Sequence, residues 1–311
     1  MNSEWIVAEA ERLGFDACGI ARATALEKES AHVERWLEDR HEGEMSYLNR
    51  NKEKRYDPRL LVEGTKSIVT VLYNYFPKQK LRDDDNFKIA KYAYGADYHD
   101  VLKRKMRLLM ERIETQTGKL EGCRIFVDSA PVLDRAWAVK CGLGFIGKNT
   151  TLIHPKKGSF FFIGHLFLPL DLTETGRELP NRCGRCTKCI DACPTGALGA
   201  PFRIDARKCI SYLTIEYKGS LKGFDKAKFN DWIYGCDICQ DVCPYNRFSL
   251  PNNEPEFQPS EKLLAMQKAD WQNLDQAGFN MLFAHSAVQR AGYEGLKRNI
   301  NFISGASRRC K

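Results

Sequence analysis

The chain has 311 residues, 48 of them basic and 40 acidic, with 43% hydrophobic residues and no low-complexity tract. This is the composition of a soluble globular protein, long enough for two compact domains or for one large domain and a smaller module. Met1–Trp5 has neither a cationic leader nor an apolar run, and the most apolar stretch, Phe160–Leu170, is broken by Gly164, His165 and Pro169. Neither secretion nor a membrane span is expected, and the chain reads as cytoplasmic. There the twelve cysteines stay reduced, so tight cysteine spacing points to metal rather than disulfides.

Along residues 1–178, strand-like and helix-like segments alternate. Ser67–Tyr73 reads as a strand, and Val101, Leu102, Met106, Leu109 and Ile113 recur at helical spacing. Arg124–Val127 is a second strand, Pro131–Lys140 a helix opened by proline, Asn149–Ile153 and Phe160–Ile163 further strands. Such a mixture predicts an α/β or α+β domain. Residues 171–182 form a polar linker, 183–250 a cysteine-rich module, and 251–259 a proline-bearing break before a polar helical tail from about 261.

Cys183-x₂-Cys186-x₂-Cys189-x₃-Cys193-Pro194 is a ferredoxin-type run. Three thiolates on a short loop reach three irons of one cubane, and the fourth, before a proline, points to another cluster. Cys236-x₂-Cys239-x₃-Cys243-Pro244 repeats the last three positions without the first, and Cys209 is the nearby cysteine that can replace it. The exchange rule assigns Cys183, Cys186, Cys189 and Cys243 to one [4Fe–4S] cluster and Cys193, Cys209, Cys236 and Cys239 to the other. Structural zinc, the alternative, favours paired knuckles with longer gaps, and no histidine is interleaved here. Cys18, Cys123 and Cys141 read as small core residues, and Cys310 as a tail thiol. The chain's formal charge is +8. Two thiolate-bound clusters would remove roughly four charges, and the remainder permits a polyanionic partner without requiring one.

Gly142-Leu-Gly-Phe-Ile-Gly147-Lys148 matches a dinucleotide fingerprint literally and approaches a P-loop. However, Asn149 stands where the P-loop needs Ser or Thr, and the expected order is helix, loop, strand. Phosphate capture at a helix N-terminus needs the reverse, so Gly142 is read as a helix stop.

Val127-Asp-Ser-Ala-Pro-Val-Leu-Asp-Arg135, Gly142-Leu-Gly-Phe-Ile-Gly-Lys-Asn149, Cys209-Ile-Ser-Tyr-Leu-Thr-Ile-Glu216 and Gly235-Cys-Asp-Ile-Cys-Gln-Asp-Val-Cys-Pro-Tyr-Asn246 occur together in this chain. With them the chain resembles the epoxyqueuosine reductases over residues 1–298. Members of that family use cobalamin and two [4Fe–4S] clusters to remove the epoxide oxygen of epoxyqueuosine at the tRNA wobble position. The resemblance implies an α+β fold, with a nitroreductase-like cobalamin-binding catalytic domain over 1–178. A ferredoxin-like two-cluster module over 179–250 and a short helical tail over 251–311, a shortened helical-repeat region, would follow. Carried over by position, Asp134 is the proton donor. Asp57, Asp97, Asp134, Lys140, Cys141, Gly158, Ser159 and Ser211 match positions that line the corrinoid, Cys141 through its backbone. Asp97 could equally cap the helix after it. Asp97-Tyr-His99 begins like the Asp-x-His-x-x-Gly signature that supplies histidine to cobalt, but Leu102 occupies the glycine position, so no histidine ligand is expected.

The implied chemistry passes electrons singly through the clusters to the cofactor while Asp134 protonates the departing oxygen. The implied partners are tRNA and an unidentified electron donor, with no membrane and a monomeric enzyme. Arg203, Arg207, Lys208, Lys218, Lys222, Lys226, Lys228, Lys297 and Arg298 are candidate tRNA contacts. Two rivals are a reductive dehalogenase-like enzyme on a small substrate, and a pure electron-transfer protein; the long N-terminal region argues against the second.

Overall fold

In Ser67–Asn74, β-branched and apolar residues run almost without a break, as a strand covered on both faces requires. The computed structural model, which describes residues 2–81 and 84–305, places it inside a four-stranded antiparallel sheet. The order is Ala17–Arg22, Ser67–Asn74, Phe161–Leu168, Arg124–Phe126. Cys310 lies outside the described residues.

One face of the sheet packs on helices Ser3–Arg12 and Tyr98–Thr117 through Ile6, Val69, Val71, Leu102, Met106 and Leu166. All five residues of the expected helical stripe, Val101 to Ile113, are buried there. The other face takes helix Asp134–Lys140, with Ile68, Leu72, Trp137, Ala138 and Phe167 in contact. Gly19 permits this approach, because a Cβ there would sit 2.3 Å from the Cys141 carbonyl oxygen. The polar 171–182 segment runs beside the outer strand, where Thr175 Oγ1 accepts from Ile20 N at 2.8 Å and Thr175 N donates to Ile20 O.

Two local expectations shift. The helix begins at Asp134 rather than Pro131, because Val132 N is already bonded to Ala130 O at 2.7 Å and the preceding segment stays a loop. The strand expected over 149–153 shrinks to Leu152–Ile153, paired with Phe145–Ile146. Asn149 Oδ1 accepts from Thr151 Oγ1 at 2.9 Å, and Thr150 N donates to Gly147 O at 2.8 Å, curling the chain between them. The glycine-rich segment is therefore a hairpin, and Gly142, with φ +75°, ends the helix before it.

The two cysteine runs fold alike. Asp191 N, Ala192 N and Cys193 N donate to Thr187 O, Lys188 O and Ile190 O, and Asp241 N, Val242 N and Cys243 N donate to the equivalent Asp237 O, Ile238 O and Gln240 O. A separate core joins this module to its surroundings. Phe87, Ile89 and Tyr94 pack with Ile233 and Tyr234 and with Trp271, Phe279, Phe283, Leu296 and Ile300. The helices after residue 261 are thus polar only on their outer faces. Among the described residues, no helix is long and apolar enough to cross a membrane.

One buried ion pair locks the module to the N-terminal region. Lys91 Nζ lies 3.3 Å from Asp237 Oδ2 and 2.6 Å from Asp241 Oδ1, with Lys91 and Asp237 side chains 6% and 3% exposed. Burial works against both charges; Asp237 and Asp241 outweigh it at Lys91, whereas burial keeps the Asp237 carboxyl raised. Lys91→Met, which strands Asp237 without its cation, is expected to cost about 3–5 kcal/mol in urea unfolding. A loss below about 1 kcal/mol would mean that the pair is dispensable.

Candidate active site and metal centres

Cys183, Cys186, Cys189 and Cys243 line one cavity of about 260 Å³, together with Lys148, Arg182 and Arg247. Three thiols come from one loop and the fourth from the end of the other run. No carboxylate lines this cavity, and its three cations suit an anionic thiolate-bound group. Cys193, Cys209, Cys236 and Cys239 lie deeper. Burial first, then repulsion from Cys209 and Cys193, raises the Cys236 thiol, and Cys239 is raised by burial and by Cys236, Cys209 and Cys193. Such thiols resist ionisation until a metal takes the proton's place, as sulfur ligands to iron do. Both sets therefore fit iron–sulfur clusters in residue type and grouping. The same hairpin, not a nucleotide loop, clamps both runs. Lys148 Nζ donates to Gly184 O at 2.7 Å and Cys186 O at 3.0 Å, and Asn149 Nδ2 donates to Cys239 O at 3.3 Å.

Several expected corrinoid contacts have visible local duties. Asp57 Oδ1 caps helix Pro58–Leu61, and its Oδ2 pairs with Arg59 Nη2 at 2.6 Å. Asp97 caps Tyr98–Thr117, accepting from His99 N at 2.9 Å, and its Oδ1 lies 2.7 Å from His99 Nδ1. Lys140 Nζ lies 3.5 Å from Glu178. The Gly158–Ser159 turn is stitched to the second cysteine run: Ser159 N donates to Asn246 Oδ1 at 2.7 Å, and Gln240 Nε2 to Ser159 Oγ at 3.1 Å. Ser211 is half-buried in the first turn of helix Ile210–Ile215. Cys141 is buried, with Sγ donating to Thr70 Oγ1 at 3.2 Å.

Asp134 stands at the first turn of its helix, its side chain 22% exposed, and His165 Nε2 lies 3.1 Å from its Oδ1. His165 comes from the sheet and is fully buried; its Nδ1 lies 3.0 Å from Thr70 Oγ1, directly opposite it in the strand register. Tyr98, Asp128 and Arg55 are neighbours of Asp134. Tyr98 stacks on Phe162 with ring centres 4.2 Å apart and donates its hydroxyl to Asp128 Oδ2. The Asp128 side chain is 62% exposed, yet the groups packed around it, then repulsion from Asp134, raise its carboxyl. Arg55 is buried with no partner for its Nε among the described residues; burial lowers its pKa, and Tyr56 and then Asp134 oppose the fall. Thr70, His165, Tyr98, Asp128 and Arg55 were not found by sequence reasoning. A lone threonine and a lone histidine inside otherwise apolar strands were the available signal.

The basic candidates divide. Arg298 Nη1 and Nη2 donate to Tyr217 O, Gly219 O and Leu213 O, so this guanidinium is committed to backbone carbonyls rather than offered to tRNA. Lys218 Nζ donates to Ile215 O and Arg290 O, and Lys297 Nζ to Gln272 O and Leu274 O. Arg207 and Lys208 face Asp205, and Arg203 pairs with Asp39. Lys222, Lys226 and Lys228 are exposed.

Two cysteine quartets define an iron–sulfur redox protein. Residues 182–246 match the model of a 4Fe-4S double cluster binding domain, and residues 55–129 match that described as Epoxyqueuosine reductase QueG, DUF1730. The chain is 50% identical to an epoxyqueuosine reductase of Cellulophaga algicola, across 97% of this chain and 98% of that one. It is 52% identical to one of Leadbetterella byssophila with the same coverage. An epoxyqueuosine reductase structure from Streptococcus thermophilus superposes with TM-score 0.86 at 30% identity, covering 97% of this chain and 81% of that one. Another, holding an epoxyqueuosine-modified tRNA-Tyr stem loop, superposes with TM-score 0.85 at 29% identity, covering 96% and 80%. The chain belongs to the epoxyqueuosine reductase family.

Proposed function

We propose that this chain removes the epoxide oxygen of epoxyqueuosine in tRNA, with Asp134 as the proton donor. The single observation that carries the assignment of the acid is its place: a partly exposed carboxyl, held by a buried histidine, in a chain of this family. Full-length similarity to epoxyqueuosine reductases and the likeness to one holding a modified stem loop support the substrate. A reductive dehalogenase-like activity on a small substrate has no such support.

In this reading Cys183, Cys186, Cys189 and Cys243 hold one [4Fe–4S] cluster, and Cys193, Cys209, Cys236 and Cys239 the other. The first quartet opens on a cavity lined by three cations, Lys148, Arg182 and Arg247, so electrons enter at the first. The nitroreductase-like domain over 1–178 would hold cobalamin; the donors and acceptors near Asp134, including the unpartnered Arg55 Nε, suit a corrinoid rim rich in amides. When bound, cobalamin supplies the low-potential electron chemistry. Asp57, Asp97, Lys140, Cys141, Gly158, Ser159 and Ser211 are its proposed neighbours, several acting through the backbone or as caps. Asp134 donates a proton to the oxygen on which negative charge develops. The two-cluster module spans 179–250, the tail continues to 311, and the protein acts as a cytoplasmic monomer.

The test is anaerobic turnover of the reconstituted protein with epoxyqueuosine-containing tRNA. Conversion to queuosine is expected, and a protein loaded with both cofactors that leaves this tRNA unchanged overturns the reading. Binding should weaken steeply with salt, at roughly −0.7 to −0.9 log units per phosphate neutralised. Replacing the exposed Lys222 and Lys226 by Ala should flatten that slope by about one to two units. An unaltered slope would move the tRNA surface away from this loop.

A further inference from the structure

The two cysteine runs share one loop geometry but not one charge. Their equivalent backbone bonds show that the loop's shape does not dictate what stands between the cysteines. Between Cys186 and Cys189 stand Thr187 and Lys188; the equivalent pair between Cys236 and Cys239 is Asp237 and Ile238. Asp237 is buried, whereas Lys188 is exposed, as is Arg185 between Cys183 and Cys186. Residues 182–190 hold three basic side chains and no acidic one. The next residue, Asp191, accepts from Thr187 Oγ1 at 2.7 Å. Arg182, Arg185, Lys188 and Arg247 have no carboxylate partner among the described residues, unlike Arg203, Arg207 and Lys208.

Exposed apolar surface adjoins these cations. Tyr245 Oη donates to Arg182 O at 3.2 Å, which ties the end of the second run to the start of the first. Arg247 and Phe248 line the cavity of the first quartet, with the Arg247 guanidinium carbon 4.5 Å from the Phe248 ring centre. Phe248 is 41% exposed, and Leu250, at 74%, is the most exposed large hydrophobic side chain among the described residues. A small apolar centre edged by unpaired guanidinium and ammonium groups suits a transient protein interface.

We propose that this rim docks an acidic one-electron carrier protein, which reduces the cluster held by Cys183, Cys186, Cys189 and Cys243; this rests on the reading of that quartet as the electron entry. The cluster gains one electron as the carrier is oxidised by one, and the spent carrier must leave. Two such visits supply the two electrons that, with two protons, convert an epoxide to an alkene and water. Repeated brief docking is served by charge steering rather than by a large apolar interface. The tRNA is a rival polyanion for the rim, but seated here it would cover the electron entry during turnover. The exposed Lys222, Lys226 and Lys228 offer it a different segment, packed on the tail where Phe229 meets Phe302.

The test uses the reconstituted holoenzyme and an acidic flavodoxin in its hydroquinone form, with cluster reduction followed by absorbance in stopped flow. Each hydroquinone should become a semiquinone as one cluster gains an electron. Arg185→Glu with Lys188→Glu should lower the second-order rate constant on the order of 10-fold or more at about 50 mM salt, and the gap should close as salt rises. Leu250→Glu, outside both cysteine runs, should act in the same direction, and it decides if the double variant loses iron. Reduced methyl viologen, a small cation that needs no docking, should reduce every variant at least as fast as wild type. Unchanged flavodoxin rates in the variants overturn the inference and leave the entry reading intact. So does weakened tRNA binding in the variants with flavodoxin reduction blocked by epoxyqueuosine-containing tRNA, which gives the rim to tRNA. If reduced viologen leaves the first cluster of the wild type oxidised, the entry reading falls, and the inference with it.

Discussion

Asp134→Asn is expected to lower single-turnover reduction of epoxyqueuosine-containing tRNA on the order of 10²-fold or more, with tRNA affinity and iron content nearly unchanged. The amide is almost the same size, so Trp137 and Ala138 on the same helix keep their buried contacts. What is lost is the transferable proton, since an amide can only offer a hydrogen bond to the oxygen. The His165 contact survives, because the Asn side-chain oxygen can still accept from Nε2–H. Asp134→Glu restores an acid at slightly longer reach and should keep much of the activity. A rate for the Asn variant close to wild type would remove Asp134 from the chemistry. Loss of cofactor binding in that variant would instead make the carboxylate a structural contact.

Cys209→Ser is expected to empty the deeper cluster site. The iron content after anaerobic reconstitution should fall from about eight to about four per chain, one of two cluster signals should vanish, and turnover should fall by at least the same order as for Asp134→Asn. Cys209 is the member of its quartet outside both cysteine runs. It sits just before helix Ile210–Ile215, with its thiol raised by burial and by Cys193 among its neighbours. Serine is a hard, weakly acidic ligand and does not replace thiolate at iron. Cys183, Cys186, Cys189 and Cys243 should keep the shallower cluster. Full iron with both signals intact would show that another group completes the second quartet.

Much of the architecture was legible because it follows from local rules. The stripe Val101–Ile113 marked a helix because burial on one face demands a 3.6-residue period, and Ser67–Tyr73 marked a strand because β-branched residues fill a two-sided layer. The cysteine spacings spoke plainly because cubane ligation constrains short loops. Boundaries were less legible. Pro131 looked like a helix start, but a bond between Val132 N and Ala130 O holds the chain in a loop. Asn149–Ile153 looked like a strand, but the Asn149 side chain curls its beginning into a turn. The basic residues misled most. Arg298 is indistinguishable in sequence from an exposed arginine, and only the folded chain presents it with three backbone carbonyls.

The sequence by itself determined the family, and it singled out the two cysteine quartets and the candidate acid, since each is carried by residues close in the chain or by a short signature. Only the tertiary structure decided what stands behind that acid. Thr70, Asp134 and His165 are separated by 64 and 31 positions, and no local periodicity relates them. They meet because the antiparallel register sets Thr70 opposite His165, and because the helix beginning at Asp134 packs on that same face of the sheet. The register follows from burying whole faces of four strands at once, so the placement of one histidine depends on the packing of them all.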